Sequence, residues 1–366
     1  MPIQTSFHEH PDCADRPSPH ESLKSTKAYR SEKMQFLQFS DIKLPPLNNR
    51  LHSINTVQMK KVFNILLLVT CYFVSNRASS QDSNQKLLSP EIFSVIVSAS
   101  PYSSTNITIP VQVFKPIDRQ SGQTNESWPV VIFSHGRAGS AAARAAQKNP
   151  VNLDIVRYWH NKGYAVVAPT RPGYGNSNTE DPEDHGGRWN RSTCTGNPDF
   201  NKTAQAASHA VKAVHTWLMT QNWVDKDHLL LVGQSVGGLA TVAACGQNWS
   251  GVMGCINFAG GTGGNPDASP GQSCRPDRLG EVLSESAKTT VAPSIWLYSA
   301  NDKYWGEDAP KAWFKAFTEN INAAAKTGTV EFFAAPAVGD NGHSLQTMGG
   351  KFWMPVVNEW LTKNGF

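Results

Sequence analysis

From residue 129 onward the sequence alternates short runs of Val, Ile, Leu and Ala with longer stretches of helical periodicity. This restricts the chain to a mainly parallel sheet with helices on both faces. The runs "PVVIFSHG" (129–136), "YAVVAPT" (164–170), "HLLLVGQS" (228–235), "VMGCINFAG" (252–260), "PSIWLYSAND" (293–302) and "TVEFFAAP" (329–336) are continuous in apolar residues, as strands buried on both faces are. Ahead of them, "IFSVIVSA" (92–99) and "ITIPVQVF" (107–114) read as an antiparallel pair, which brings the sheet to eight strands. Helices are expected at 152–164, 200–222, 236–245, 308–325 and 351–363. In the second of these, Ala204, Ala207, Val211, Val214 and Leu218 recur every three or four positions as one apolar stripe. No repeat or linker interrupts the pattern, so one domain is expected over residues 81–366. Two segments too rich in Gly, Pro and Asp for helices, 170–199 and 260–280, follow the C-terminal ends of strands, where open sheets of this kind place their ligands.

The stretch from Met59 reads "MKKVFNILLLVTCYFVSNRASSQ": two lysines, an apolar run from Val62 to Val74, and small residues Ala78 and Ser80 before Gln81. It is the pattern of a secretory signal peptide over 59–80, too short to leave a stable membrane span. Export to the periplasm or the extracellular space is expected, with acylation of Cys71 as the alternative. Residues 1–58, polar and without periodicity, read as a disordered arm, or as an upstream extension to a chain whose translation starts at Met59. The excess of four positive charges falls within residues 1–80, which hold 10 Lys/Arg and 6 Asp/Glu. The remainder is neutral, which argues against nucleic acid as a partner. Cys194, Cys245, Cys255 and Cys274 follow the signal, with three possible pairings. Cys194 with Cys274 would staple the two Gly/Pro-rich segments, and Cys245 and Cys255 would form the other pair or lie buried as thiols. None has zinc spacing, so neither metal nor cofactor is expected. Asn106, Asn125, Asn190, Asn201 and Asn248 begin Asn-x-Ser/Thr sequons.

In "LLLVGQSVGGLA" (229–240) Ser235 stands where an apolar strand meets a small-residue helix, flanked by Gly233 and Gly237. Gly-x-Ser-x-Gly in that context is the sharp turn that exposes a nucleophilic hydroxyl. Attack requires a base, a group that orients it and donors for the oxyanion. His343 in "VGDNGHSL" follows the last strand in a polar loop and is the base expected; His209, His215 and His228 fall in element patterns. Asp302 ends "SIWLYSAND" and is the expected acid, in preference to Asp340, a turn residue. The oxyanion donors expected are the backbone amides of Val236 and of Arg137 in "SHGRAGS", with Gly136 as the alternative. Tyr174, Trp189, Trp305 and Tyr304 are candidates to line a substrate pocket, and Arg137 and Arg171 to attract a carboxylate.

The order Ser235, Asp302, His343 is that of α/β-hydrolases. Together, "VVIFSHGRAG", "APTRPGYGNS", "LLLVGQSVGG", "INFAGGTGG", "SIWLYSANDKYWG" and "VGDNGHSL" resemble exported dienelactone hydrolase-like α/β-hydrolases over most of residues 90–366. The resemblance implies the α/β-hydrolase fold and the triad. The enzymes that name the group carry cysteine in the elbow and are cytosolic, whereas this chain has Ser235 and a signal peptide. A serine esterase acting on a small-molecule ester is therefore expected, with a prolyl oligopeptidase-type peptidase or a catalytically silent binding protein as alternatives.

Overall fold

Residues 89–116, 127–177, 180–325 and 330–366 are described by the computed structural model, and all lie in one compact unit. The arm, the signal peptide, Cys71 and Asn125 lie outside them. The strands are β1 (Glu91–Val97), β2 (Ile107–Phe114), β3 (Trp128–Ser134), β4 (Ala165–Pro169), a small hairpin of β5 (Arg188–Asn190) and β6 (Thr193–Thr195), β7 (Val224–Gln234), β8 (Val252–Phe258), β9 (Ser294–Ser299) and β10 (Val330–Ala335). Eight of them form one sheet in the order β1-β2-β4-β3-β7-β8-β9-β10. β2 pairs antiparallel with both β1 and β4, and every pairing from β4 to β10 is parallel.

Helices α1 (Ala141–Ala145), α2 (Leu153–His160), α3 (Phe200–Leu218), α4 (Val236–Cys245), α5 (Pro276–Ala287), α6 (Asp308–Glu319), α7 (Leu345–Met348) and α8 (Gly350–Lys363) complete the fold. The period of two along β3 assigns them to faces. Val131 and Phe133 join a cluster with Ile155 and Trp159 of α2 and Trp353 and Val357 of α8. Val130 and Ile132 pack on the other side against Val211, Val214 and Leu218 of α3. All five residues of the α3 stripe are buried, and the Asp199 side chain caps the helix by accepting from the Lys202 amide.

The short helices α1 and α7 and the β5–β6 hairpin were not expected, α6 ends at Glu319 rather than at 325, and one segment read as irregular is partly helical. Residues 276–280 belong to α5 rather than to a loop, because Pro276 occupies the first helical turn, where a missing N–H costs nothing. Leu279 and Leu283 then bury against Trp313 of α6.

Cys194 of β6 is disulfide-bonded to Cys274, with 5.2 Å between their Cα atoms. Cys245 at the end of α4 is bonded to Cys255 of β8, with 6.3 Å. Replacing Cys245 and Cys255 together by alanine should lower the unfolding free energy by about 2 kcal/mol, measured by urea denaturation under oxidising conditions. No helix among the described residues is long and apolar enough to cross a membrane.

Candidate active site

The site lies at the C-terminal edge of the parallel strands, where β7 turns into α4. Ser235 sits at that turn with φ 57° and ψ −124°, a conformation strained for any residue with a side chain. The elbow leaves no room beside it. A Cβ on Gly233 would strike the Gly237 carbonyl, and one on Gly237 would strike the Ser134 carbonyl. The turn is tied to β8 by Ser235 N donating to Phe258 O at 3.0 Å and Gly261 N donating to Ser235 O at 3.1 Å. The Ser235 hydroxyl makes no hydrogen bond among the described residues and lines a cleft of about 660 Å³.

Asp302 follows β9 with its carboxylate fully buried. Its Oδ2 accepts from His343 Nδ1 at 3.0 Å, and its Oδ1 accepts from the amides of Tyr304 at 2.8 Å and Trp305 at 3.2 Å. A carboxylate only accepts, so the His343 proton facing it is on Nδ1, and Nε2 makes no hydrogen bond among the described residues. Tyr304 stacks on the imidazole with 4.1 Å between ring centres, and Trp305 meets it edge-on at 5.4 Å. His343 is brought to the elbow itself, since Gln234 Nε2 donates to its carbonyl at 3.3 Å.

Two residues outside the sequence expectation hold this pair of loops together. Asn341 Oδ1 accepts from both Lys303 N and His343 N at 3.0 Å. Asn301 accepts from Val338 N at 2.9 Å and donates to Gly339 O at 3.0 Å. Each Asn stands one or two residues from Asp302 or His343, and an Asn so placed in a turn is the sequence signal that could have found them.

The Val236 amide is the first of α4, at the positive end of the helix, and the Arg137 amide lies in the loop after β3. Neither meets an acceptor among the described residues. The Gly136 carbonyl is engaged by His135 Nδ1 at 2.7 Å.

No protein-family model matches the chain, and no curated protein matches it. Among solved structures, an acylaminoacyl peptidase from Pyrococcus horikoshii aligns with 76% of this chain and 42% of its own, at 14% identity and a TM-score of 0.50. An esterase from Pyrococcus furiosus aligns over 76% of this chain and 92% of its own, at 14% identity and a TM-score of 0.49. Est1E from Butyrivibrio proteoclasticus aligns over 75% and 98%, at 12% identity and 0.46. The chain has the α/β-hydrolase fold.

Within that fold, Trp189 and Trp305 line the same cleft as Ser235, each with its indole N–H fixed at 2.8 Å, on the carbonyls of Gly263 and Ala259 respectively. Tyr174 and Arg171 do not. The Gly/Pro-rich segment after β4 folds inward, so both are completely buried in a polar network beneath the β3 loop. Arg171 pairs with Glu183 at 2.5 Å and donates to Ser134 Oγ at 2.9 Å and to His135 O at 2.6 Å; Tyr174 donates to Glu183 at 2.8 Å. Burial, followed by Arg171, holds the His135 pKa well below the ordinary range. The neutral ring accepts from Arg171 N at 3.2 Å. The Arg137 side chain is also committed, held on both oxygens of Asp181, which Arg144 approaches at 3.2 Å. Neither arginine is free to recruit a carboxylate.

His185, at the cleft wall, has its pKa lowered to about 4 by burial, then by Arg137, and its Nδ1 accepts from Gly187 N. Between pH 6.5 and about 4 the unfolded chain therefore binds a proton there that the folded chain does not, so stability falls as pH falls through that window. His185→Gln should flatten the fall in Tm on acidification; an unchanged slope would place the acid sensitivity elsewhere.

Proposed function

We propose that the protein is an exported serine hydrolase that cleaves carboxylic esters. Ser235 Oγ attacks the ester carbonyl carbon while His343 Nε2 takes its proton. The carbonyl oxygen becomes an oxyanion facing the amides of Val236 and Arg137. Collapse expels the alcohol, which receives the proton back from His343, and leaves an acyl-enzyme; water, activated by the same nitrogen, then releases the acid and restores Ser235. Asp302 keeps His343 in the required tautomer and stabilises the imidazolium. The observation that supports the reading is the His343–Asp302 hydrogen bond, in a loop that Gln234, the neighbour of Ser235 on the strained elbow, holds by the His343 carbonyl. The two disulfides accord with export to an oxidising compartment.

The test is labelling of the full chain by a fluorophosphonate, with the modified residue located by mass spectrometry. Labelling at Ser235 that is lost in His343→Ala is expected. A folded, oxidised protein that takes no label would overturn the reading in favour of a silent binding protein. Matched p-nitrophenyl esters and peptide anilides then separate esterase from peptidase, with the esters expected to be cleaved faster.

A further inference from the structure

The His343 side chain is held to Asp302 by one hydrogen bond, through Nδ1. One bond fixes the direction of a nitrogen but not the plane of its ring, because the last torsion of a histidine side chain is broad and roughly two-fold. The proton transfer proposed at Nε2 depends on that plane. A second set of contacts supplies what the hydrogen bond leaves open.

Tyr304 lies over one face of the imidazole, with 4.1 Å between centroids and 30° between planes, and Trp305 meets the same ring edge-on at 5.4 Å and 74°. Both are anchored independently of His343. Trp305 is only 2% exposed, donates its indole N–H to Ala259 O at 2.8 Å and packs against Trp313 of α6. Tyr304, half-buried, leans on Trp305 with 5.6 Å between centroids. The backbone of the pair is fixed as well, since the Tyr304 and Trp305 amides are the donors to Asp302 Oδ1. One carboxylate thus holds the imidazole on one oxygen and the aromatic pair on the other.

The glycines after β8 are fitted to this pair. A Cβ on Gly261 would come within 3.0 Å of the Trp305 indole, and one on Gly264 within 2.9 Å of the Tyr304 carbonyl and 2.7 Å of Trp305. Gly261 N also donates to Ser235 O at 3.1 Å. The pair therefore packs on the segment that ties down the elbow and touches His343 from there.

We infer that Tyr304 is a positioning residue: its ring, seated by Trp305, holds the His343 imidazole in the plane from which Nε2 works. This rests on the esterase reading for the reaction it serves, and it assigns Tyr304 to the base rather than to the substrate. The stack uses the face of the ring and not the hydroxyl, so phenylalanine should serve in its place and an aliphatic side chain should not.

The experiment has two readouts on the full chain, each comparing Tyr304→Leu, which has no ring, with Tyr304→Phe, which keeps it. For p-nitrophenyl acetate, kcat should fall about fivefold in the leucine variant, the worth of one aromatic pair, with KM unchanged, and should recover in the phenylalanine variant. Without turnover, the downfield proton NMR signal of His343 Nδ1–H, identified by its loss in His343→Ala, should be kept in the wild type and Tyr304→Phe and broadened by exchange in Tyr304→Leu. Tyr304→Met is the second ring-free variant should the first not fold. A raised KM with kcat unchanged would overturn the inference, because Tyr304 would then serve the substrate. Equal losses in the leucine and phenylalanine variants would overturn it too, by pointing to the hydroxyl, and so would a signal equally sharp in all three proteins. A protein that cleaves no ester, yet loses the signal only in Tyr304→Leu, would sink the esterase reading and keep the role of Tyr304.

Discussion

Alanine in place of Ser235 is expected to lower kcat/KM for carboxylic esters by about 10⁴-fold or more, with the protein still folded. The loss is large because the hydroxyl is the only group proposed to bond covalently to the substrate. It is not total, because the cleft and the amides of Val236 and Arg137 remain to bind the substrate and polarise its carbonyl. Stability should hardly change. The hydroxyl makes no hydrogen bond among the described residues, and alanine meets the positive φ at Ser235 with the same Cβ. His343→Ala should be nearly as damaging, and the double variant little worse than either single one, since the two act as a unit. A Ser235→Ala enzyme that kept a tenth of its activity would exclude Ser235 as the nucleophile.

The second large effect concerns stability. Glu183→Ala is expected to lower the unfolding free energy by about 3–5 kcal/mol, measured by urea denaturation, because it leaves the Arg171 guanidinium buried without a counter-charge. Both side chains are at most 1% exposed, so water cannot compensate. The variant also takes away the acceptor of the Tyr174 hydroxyl. Activity should fall with stability, because Arg171 holds the Ser134 hydroxyl and the His135 carbonyl at the base of the loop that carries the Arg137 amide. Replacing the pair together, Arg171→Met with Glu183→Leu, should recover much of the stability, since no unpaired charge is then buried. The exposed pair of Arg157 with Asp154 is the control; breaking it should cost less than about 1 kcal/mol. If Glu183→Ala cost no more than that control, the buried network would not be what supports the loop.

How far the sequence could be read follows from which signals are local. Burial of a strand on both faces writes itself into consecutive residues, so all eight strands of the main sheet were legible, as was the α3 stripe. The elbow was legible because Gly-x-Ser-x-Gly is a local motif and Gly233 answers to the carbonyl of Gly237 within five residues, whereas Gly237 answers to the distant carbonyl of Ser134. Asp302 and His343 were legible from chain order and from their position just beyond strand ends, and the structure joins them by a hydrogen bond across 41 residues.

The Gly/Pro-rich segment after β4 was legible only as irregular. Tyr174 and Arg171 were expected to face a substrate, yet they turn inward, because Glu183, twelve residues beyond Arg171, is positioned to neutralise the guanidinium beneath the β3 loop. The sequence by itself thus determined the sheet, the elbow and the placing of Ser235, Asp302 and His343 just beyond strand ends, all of which depend on near neighbours or on periodicity. Only the tertiary structure decided which polar side chains are spent on one another, because pairing depends on partners that folding brings together from far along the chain.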